Sequence, residues 1–174
     1  MEGLKQYYSQ LQVDCQKVNN LAALNPSCIN NPAVYSILGA KYNKANELGI
    51  EINIEVFLDL NAINMKIYEF TRILGILLDN AIEAASECED KKVNIVMRND
   101  FHTSRQLVIV ENTYKDKNVD TEKIFEKAYT SKKEKGNTGL GLWEVRQILK
   151  KNNNLNLYTT KNENFFIQQL EIYR

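Results

Sequence analysis

Four polar side chains on one predicted helix could bind a divalent cation or a polar ligand: Asp79, Asn80, Glu83 and Glu87. At about 100° per residue they fall on one side of that helix, together with Ile76. An ordinary surface helix mixes Lys with Glu, but no basic residue stands in this group. Carboxylate and amide oxygens are the ligands that hard divalent cations prefer. A core helix with an acidic outer side would give the same pattern, so this segment alone leaves both interpretations open.

A second group of residues could bind an anion. Gly136, Gly139 and Gly141 precede a predicted helix, and closely spaced glycines let backbone N–H groups approach a phosphate at the positive end of the helix. Thr138 could cap the helix or hydrogen-bond a phosphate, and lysines lie just upstream. The spacing is neither a Walker A motif nor a Rossmann fingerprint. Because glycines also form ordinary turns, this loop alone does not establish phosphate binding.

The elements that must position both groups indicate one α+β domain. The helix with the polar group is predicted over 65–87, and its other side is an apolar stripe: Leu74, Leu77, Leu78, Ala81, Ile82 and Ala85. Another helix should begin at Pro32 with Asn31 as its N-cap, a short helix should include Ile124 and Phe125, and a last one should follow Gly141. Apolar patterns predict strands over 50–57, 93–97, 107–110, 155–159 and 166–172. Since helices and strands do not alternate strictly, we expect a two-layer α/β sandwich, in which helices cover one face of a mixed sheet.

An extra N-terminal helix is predicted over 4–22, where apolar residues recur at heptad-like spacing. Such a seam could pack on a partner helix in a bundle or on its own domain, and both alternatives stay open. Asn25-Pro26 should end this helix, because proline disfavours a helical conformation at the residue before it. We therefore divide the chain into a helical segment, 1–25, and a domain, 30–174.

The composition is typical of a soluble globular protein. The chain has 174 residues, of which 44% are hydrophobic and 25% charged, enough for one core. Its formal net charge of zero gives no overall field that would favour nucleic acid or an anionic membrane. No apolar run approaches the roughly 20 residues of a membrane span, and Met1 does not open a signal peptide. Three scattered cysteines are typical of reduced cytosolic thiols.

The two polar groups, in this order along the chain, resemble the ATP-binding domain of sensor histidine kinases, part of the Bergerat-type or GHKL family that includes gyrase and the Hsp90 chaperones. Residues 74–84 resemble the asparagine-containing box of that family, and residues 136–142 resemble its second glycine-rich box. Ile124-Phe125 with residues 129–132 resembles the phenylalanine-containing box and the lid. The wording Leu-Leu-Asp-Asn-Ala-Ile-Glu-Ala with Val-Glu-Asn-Thr and Tyr-Thr-Ser-Lys is most similar to the Agr-type, quorum-sensing receptors of Gram-positive bacteria. The resemblance covers residues 30–174 and, less firmly, the helix before them.

The resemblance implies that ATP and Mg²⁺ are cofactors. Asn80 would coordinate Mg²⁺ through its amide oxygen, with Asp79 and Glu83 in the outer shell. Asn112 or Glu111 would face the adenine. The phosphates would be held by Lys132 and by the glycine-rich loop, at Gly136, Thr138, Gly139, Leu140 and Gly141. Asn112 could instead simply end a strand, and Lys132 could be a solvated charge of the lid.

Two positions depart from the family pattern. The family's first glycine-rich box carries an Asp that accepts the adenine amino group, but Glu111-Asn112-Thr113-Tyr114 stands there. Adenine recognition should therefore be weaker or built differently. The ATP-hydrolysing relatives place a general-base Glu four residues before the metal-binding Asn, where this chain has Ile76. Because an apolar side chain cannot take a proton, hydrolysis of the gyrase kind is disfavoured, whereas a kinase that phosphorylates an imidazole has less need of that base.

The phosphoacceptor is not evident in this sequence. His102 is the single histidine, and it falls in a predicted hairpin loop, which makes it a poor acceptor. By the resemblance, residues 1–25 would be the second helix of a dimerisation and phosphoacceptor bundle. The phosphoacceptor helix would then have been left off a fragment, or the natural protein would lack it.

These expectations favour an ATP·Mg²⁺-binding kinase domain that transfers the γ-phosphoryl to a histidine outside these residues, with onward transfer to a response regulator. The parent protein would be a homodimer, this part would be the cytoplasmic portion of a membrane-anchored receptor, and nucleic acid would not be a partner. The alternative is a non-catalytic module of the same fold that binds a partner protein. A gyrase-type ATPase is the third interpretation.

Overall fold

The computed structural model describes residues 29–127 and 140–174. The predicted helix over 4–22 and most of the glycine-rich loop lie outside the described residues. The described helices are α1 (Pro32–Glu47), α2 (Ile67–Ser86) and α3 (Gly141–Lys151), and the strands are β1 (Glu51–Val56), β2 (Lys92–Asp100), β3 (Arg105–Thr113), β4 (Leu155–Lys161) and β5 (Phe165–Tyr173). Two single turns of 3₁₀ helix, Leu60–Ala62 and Lys123–Phe125, complete the list.

The five strands form one mixed sheet in the order β1-β2-β3-β5-β4. β1 runs parallel to β2, and the other neighbouring strands are antiparallel. The strand predicted over 107–110, whose continuous apolar run is typical of a more central strand, lies in the middle of the sheet. The α+β fold class and the mixed sheet are therefore confirmed.

The helices cover one face of the sheet, and the core lies between the two layers. α2 packs against β2 and β3, and α3 packs against α2 and β4. All six residues of the predicted apolar stripe of α2 are buried, as are Val93, Ile95 and Met97 of β2. Burial of this continuous apolar surface is the main favourable contribution to the stability of such a domain.

The predicted start of α1 is confirmed. Pro32 is its first residue, and the side chain of Asn31 accepts hydrogen bonds from the backbone N–H groups of Ala33 and Val34. After the helix, Gly49 has a φ of 68°, a left-handed conformation that glycine adopts without the steric cost of a Cβ. Leu48 and Gly49 thus turn the chain directly into β1.

The strands extend beyond their predicted bounds. The apolar run over 107–110 lies within a strand of nine residues, Arg105–Thr113, because backbone pairing with β2 and β5 continues through its polar ends. The helix predicted around Ile124 and Phe125 is a single 3₁₀ turn. In the part of the chain that the structure describes, none of the helices is long and apolar enough to cross a membrane.

Candidate functional site

The outer side of α2 carries the central residues of the predicted site. Asn80 and Glu83 are partly buried in the second half of this helix. The turn over 87–91 connects the end of α2 to β2, in which Val93 lies opposite Asn112 of β3. The C-terminal half of α2 and the Asn112 end of the sheet are therefore at the same side of the domain.

Asp79 forms ion pairs with two lysines of α1. Its carboxylate oxygens accept hydrogen bonds from Lys41 Nζ at 2.7 Å and Lys44 Nζ at 3.0 Å. Partial burial alone would raise the pKa of Asp79, but the hydrogen bonds and charges of the two lysines outweigh it and hold the pKa below its ordinary value. The basic residues that are missing from α2 itself thus come from the neighbouring helix. An outer-shell role of Asp79 stays a prediction.

Ile76 is not part of the exposed polar side. Its side chain is 8% exposed, and a Cβ added at Gly141 would lie 3.1 Å from Ile76 Cγ2. The last glycine of the glycine-rich loop therefore lies directly against α2. The residue that replaces the general base of the ATP-hydrolysing relatives is a packing residue in this chain.

An ion pair between α2 and α3 lies beside the Ile76–Gly141 contact. Arg72 Nε and Nη2 donate to the two carboxylate oxygens of Glu144 at 2.7 and 2.6 Å, in the bidentate geometry that suits guanidinium and carboxylate. The hydrogen bond to Arg72 lowers the pKa of Glu144. Because Glu144 lies in the first turn of α3, this pair and the Ile76–Gly141 contact position the N-terminus of α3 on α2. Leu140, just before the helix, is 40% exposed.

The sheet separates the two residues proposed for adenine. Asn112 lies on the same face of β3 as Val110, which is covered by helices, and it is 4% exposed. Glu111, its neighbour, lies on the opposite face because side chains alternate along a strand. The amide nitrogen of Asn112 already donates to the carbonyl oxygen of Thr113 at 2.9 Å. Of the two candidates, Asn112 is the one on the helix-covered face.

The chain after Asn112 is tied to the β4–β5 hairpin. Tyr114 OH donates to the carbonyl oxygen of Asn162 at 2.6 Å. Lys117 Nζ lies 3.8 Å from the centroid of the Tyr114 ring and donates to the carbonyls of Tyr114 and Glu163. Lys161 Nζ donates to the carbonyls of Lys117 and Val119. Residues 111–113, which stand in place of the family's first glycine-rich box, are thus the end of β3, and the chain that follows them is held against the β4–β5 hairpin.

Two further polar residues were missed in the sequence. Gln168 of β5 and Thr159 of β4 are paired neighbours on the helix-covered face, and neither Gln168 Nε2 nor Thr159 Oγ1 has a hydrogen-bond partner within residues 29–127 and 140–174. The sequence does indicate the burial of Gln168. Side chains alternate along a strand, so position 168 lies on the same face as the apolar residues Phe166, Leu170 and Ile172.

Lys132, Gly136, Thr138 and Gly139 lie outside the described residues, so their predicted contacts with phosphate stay predictions. Of the predicted loop residues, Leu140 and Gly141 are described. Among the described residues no group of three or more His, Cys, Asp or Glu side chains could hold a metal ion. One amide and one nearby carboxylate on α2 fit Mg²⁺, because this ion usually takes one or two protein ligands and completes its shell with phosphate oxygens and water.

Solved structures with a similar fold include the catalytic domain of a histidine kinase. The nucleotide-free catalytic domain of histidine kinase ThkA is 24% identical, with a TM-score of 0.67 over 82% of this chain and 92% of that one. The Acinetobacter baumannii histidine kinase AdeS is 17% identical, with a TM-score of 0.63 over 98% and 83%. Full-length ShkA in complex with AMPPNP is 19% identical, with a TM-score of 0.63 over 80% of this chain and 29% of that one. At these identities the likeness establishes the fold.

No curated protein sequence matches the chain. A family model described as a GHKL domain, however, matches residues 65–173, which is more than half of the chain. The matched range begins just before α2 and ends with β5, so it includes Asn80, Asn112 and the glycine-rich loop. The chain belongs to the GHKL family.

Proposed function

We propose that this chain is the ATP- and Mg²⁺-binding kinase domain of a sensor histidine kinase. The observation that carries the proposal is the contact between Ile76 and Gly141. Asn80 is four residues after Ile76, so its side chain lies on the same side of α2, about 6 Å further along the helix axis. The predicted metal ligand and the last glycine of the predicted phosphate loop are thus neighbours, although 61 positions separate Asn80 from Gly141 in the sequence.

Different residues would bind the phosphates and the Mg²⁺ ion. Backbone N–H groups at the start of α3 would hold phosphate oxygens at the positive end of a helix, and Lys132 would add a positive charge. Asn80 would offer its amide oxygen to Mg²⁺, and Glu83 would orient water around the ion. When bound, Mg²⁺ neutralises charge on the transferring phosphoryl group. Transfer rests on positioning and charge stabilisation, since no covalent intermediate with the protein is needed.

The acceptor histidine comes from outside the described residues. His102 lies in the turn between β2 and β3, whereas Asn112 lies at the other end of β3. From Arg105 to Asn112 the strand spans about 23 Å at about 3.3 Å per residue, so His102 lies at the end of the sheet opposite to Asn112, too far for in-line attack. The segment over 1–25 would serve as the second helix of the bundle that presents the acceptor, in the same subunit or in a homodimeric partner.

The finer assignment rests on the sequence. The motifs around Asn80, Asn112 and Lys132 support an Agr-type, quorum-sensing receptor, in which this domain would be the cytoplasmic part of a membrane-anchored protein and would pass its phosphoryl group to a response regulator. Ile76 disfavours the gyrase-type ATPase, because no carboxylate stands at this position to activate water.

A non-catalytic module that binds a partner protein is the second candidate. It is favoured by Asn112, whose amide nitrogen bonds the adjacent backbone carbonyl at the place where the family uses a free Asp carboxylate. Phosphorylation of a histidine-containing bundle fragment by this chain in trans separates the two candidates. Labelled bundle fragment supports the kinase, and unlabelled fragment despite ATP binding supports the module.

The primary test is calorimetric titration of an ATP analogue with Mg²⁺ and with EDTA. We expect saturable, Mg²⁺-dependent binding that Asn80→Ala weakens by about 100-fold or more, since even ligand-orienting residues around metals contribute about 10–100-fold. Asn94→Ala is the matched control, because Asn94 pairs with Asn53 on the uncovered face of the sheet. Equal affinities of wild type and Asn80→Ala would refute the metal assignment, and no binding by wild type would refute the function.

A further inference from the structure

The helix-covered face of the sheet contains two orphaned polar atoms. Among residues 29–127 and 140–174, Gln168 Nε2 and Thr159 Oγ1 are buried without a hydrogen-bond partner, and Gln168 as a whole is 3% exposed. The two residues lie opposite each other in β5 and β4. A buried amide donor without a partner costs free energy, so its retention indicates that something outside the described protein atoms satisfies it.

These orphaned atoms lie at the same end of the sheet as the proposed nucleotide site. Gln168 is directly opposite Val110 in β3, and Asn112 follows Val110 on the same face. The turn over 87–91 brings the end of α2 to this edge, as described above. Gln168 therefore lies one position in from the Asn112 end of the sheet, at the same side of the domain as the half of α2 that carries Asn80.

We propose that Gln168 recognises the adenine base, as a side-chain amide in place of the family's Asp carboxylate. This inference rests on the proposed function. A glutamine amide offers one donor and one acceptor in a plane, which matches the ring nitrogen and the amino group along an edge of adenine. The orphaned Nε2 would donate to the ring nitrogen, and the hydroxyl of Thr159 would bond a neighbouring edge atom. Gln168 is better placed for this than Asn112, whose amide nitrogen is already used by a backbone carbonyl.

Gln106 provides a matched control within the same sheet. It also lies on the helix-covered face and is 2% exposed, but both ends of its amide are satisfied. Its Nε2 donates to the carbonyl oxygen of Ala62 at 2.9 Å, and its Oε1 accepts from the backbone N–H of Asn64 at 2.9 Å. Gln106 thus holds the turn before α2, and the same substitution at the two glutamines should have opposite consequences.

The experiment compares the full chain with Gln168→Met and Gln106→Met, by calorimetry with Mg²⁺ and either ADP or inorganic tripolyphosphate, and by thermal unfolding without nucleotide. We expect Gln168→Met to bind ADP about tenfold or more weakly, to bind tripolyphosphate as wild type does, and to keep or raise its Tm. Gln106→Met should lower the Tm and bind ADP as wild type does. Gln168→Glu, which keeps the side-chain length but places an acceptor at the ring nitrogen, should also lose ADP affinity.

The outcomes distinguish the two proposals. If wild type binds neither ADP nor tripolyphosphate, the proposed function fails and the inference falls with it. If wild type binds ADP and the folded Gln168 variants bind it equally well, the inference alone is overturned. Unfolding of both Gln168 variants would assign Gln168 to the fold and would overturn it as well.

Discussion

The two ends of the sheet treat buried polar groups differently. At the end near the β2–β3 hairpin, Gln106 has partners for both its donor and its acceptor. At the other end Gln168 and Thr159 have orphaned atoms, within the described ranges. Burial is nearly the same for the two glutamines, so burial does not explain the difference. Satisfied polar groups hold the fold, whereas unsatisfied ones indicate where a ligand completes it.

At the β2–β3 hairpin end, a buried polar group on the uncovered face of the sheet also has hydrogen-bond partners. Glu171 is 2% exposed, and its carboxylate accepts hydrogen bonds from Arg105 Nη1 at 2.6 Å, Tyr173 OH at 2.6 Å and Gln169 Nε2 at 2.7 Å. Burial alone would raise the pKa of Glu171, but the three donors and the charge of Arg105 outweigh it and hold the pKa below its ordinary value. A buried charge is tolerated at this end because all its donors are in place.

Removing Arg105 should break the satisfied end and have the largest effect on stability. Arg105→Met leaves Glu171 buried with two neutral donors, so we expect the free energy of unfolding at pH 7 to fall. Urea denaturation measures the change. The folded-state pKa of Glu171 is lowered, so its contribution to stability is fully present above the unfolded pKa and is lost as the pH falls through the folded pKa. The loss caused by Arg105→Met should shrink over the same pH range.

Two controls accompany this variant. Arg98→Met makes the same change at an exposed position of β2 and should alter stability by less than about 0.5 kcal/mol. ADP affinity should be unchanged in Arg105→Met, because the network lies at the end of the sheet away from Asn112. A large loss of ADP affinity without a loss of stability would contradict the division between the two ends.

Most of the fold could be predicted from the sequence, because local patterns determine it. Three of the strongest signals were the Asn31-Pro32 start of α1, the apolar stripe of α2 and the alternation along β2. Each depends on residues within a few positions of each other, where helical and strand periodicities act directly. The resemblance then identified the family, which the match over residues 65–173 confirms.

The contacts that build the candidate site were less predictable, because they join residues far apart in the chain. Lys41 and Lys44 bond Asp79 from another helix, so the sequence of α2 alone does not reveal the basic partners of its acidic group. Ile76 was placed on the polar side by helical periodicity, but the later helix α3 buries it. Which buried polar atoms stay unsatisfied depends on every neighbour at once, and no periodicity encodes that.

The contact between Gly141 and Ile76 tests how tightly the ligand-binding end is assembled. Gly141→Ala places a Cβ 3.1 Å from Ile76 Cγ2, so we expect a loss of about 1 kcal/mol in the free energy of unfolding and weaker ADP binding. Ile76→Leu removes that Cγ2 at constant volume. In this background the alanine should become neutral or stabilising, because alanine favours helix over glycine. Additive effects of the two substitutions would show that α3 does not rest on this contact.

The ion pairs of Asp79 should have the smallest effect, since its side chain is 46% exposed and solvent screens the charges. We expect a double-mutant cycle of Asp79→Asn with Lys41→Met to give a coupling of about 0.5 kcal/mol at pH 7 and low salt. The pKa of Asp79 is lowered in the folded protein, so its contribution is present above the unfolded pKa of about 4 and is lost as the pH falls through the folded value. The coupling should also shrink in about 1 M salt, where the Debye length is about 3 Å. A coupling that grows on acidification would mean that the lysines of α1 do not hold Asp79 as a carboxylate. Asp79 would then lack hydrogen-bond partners, as Gln168 Nε2 and Thr159 Oγ1 do among the described residues at the other end of the sheet from Gln106.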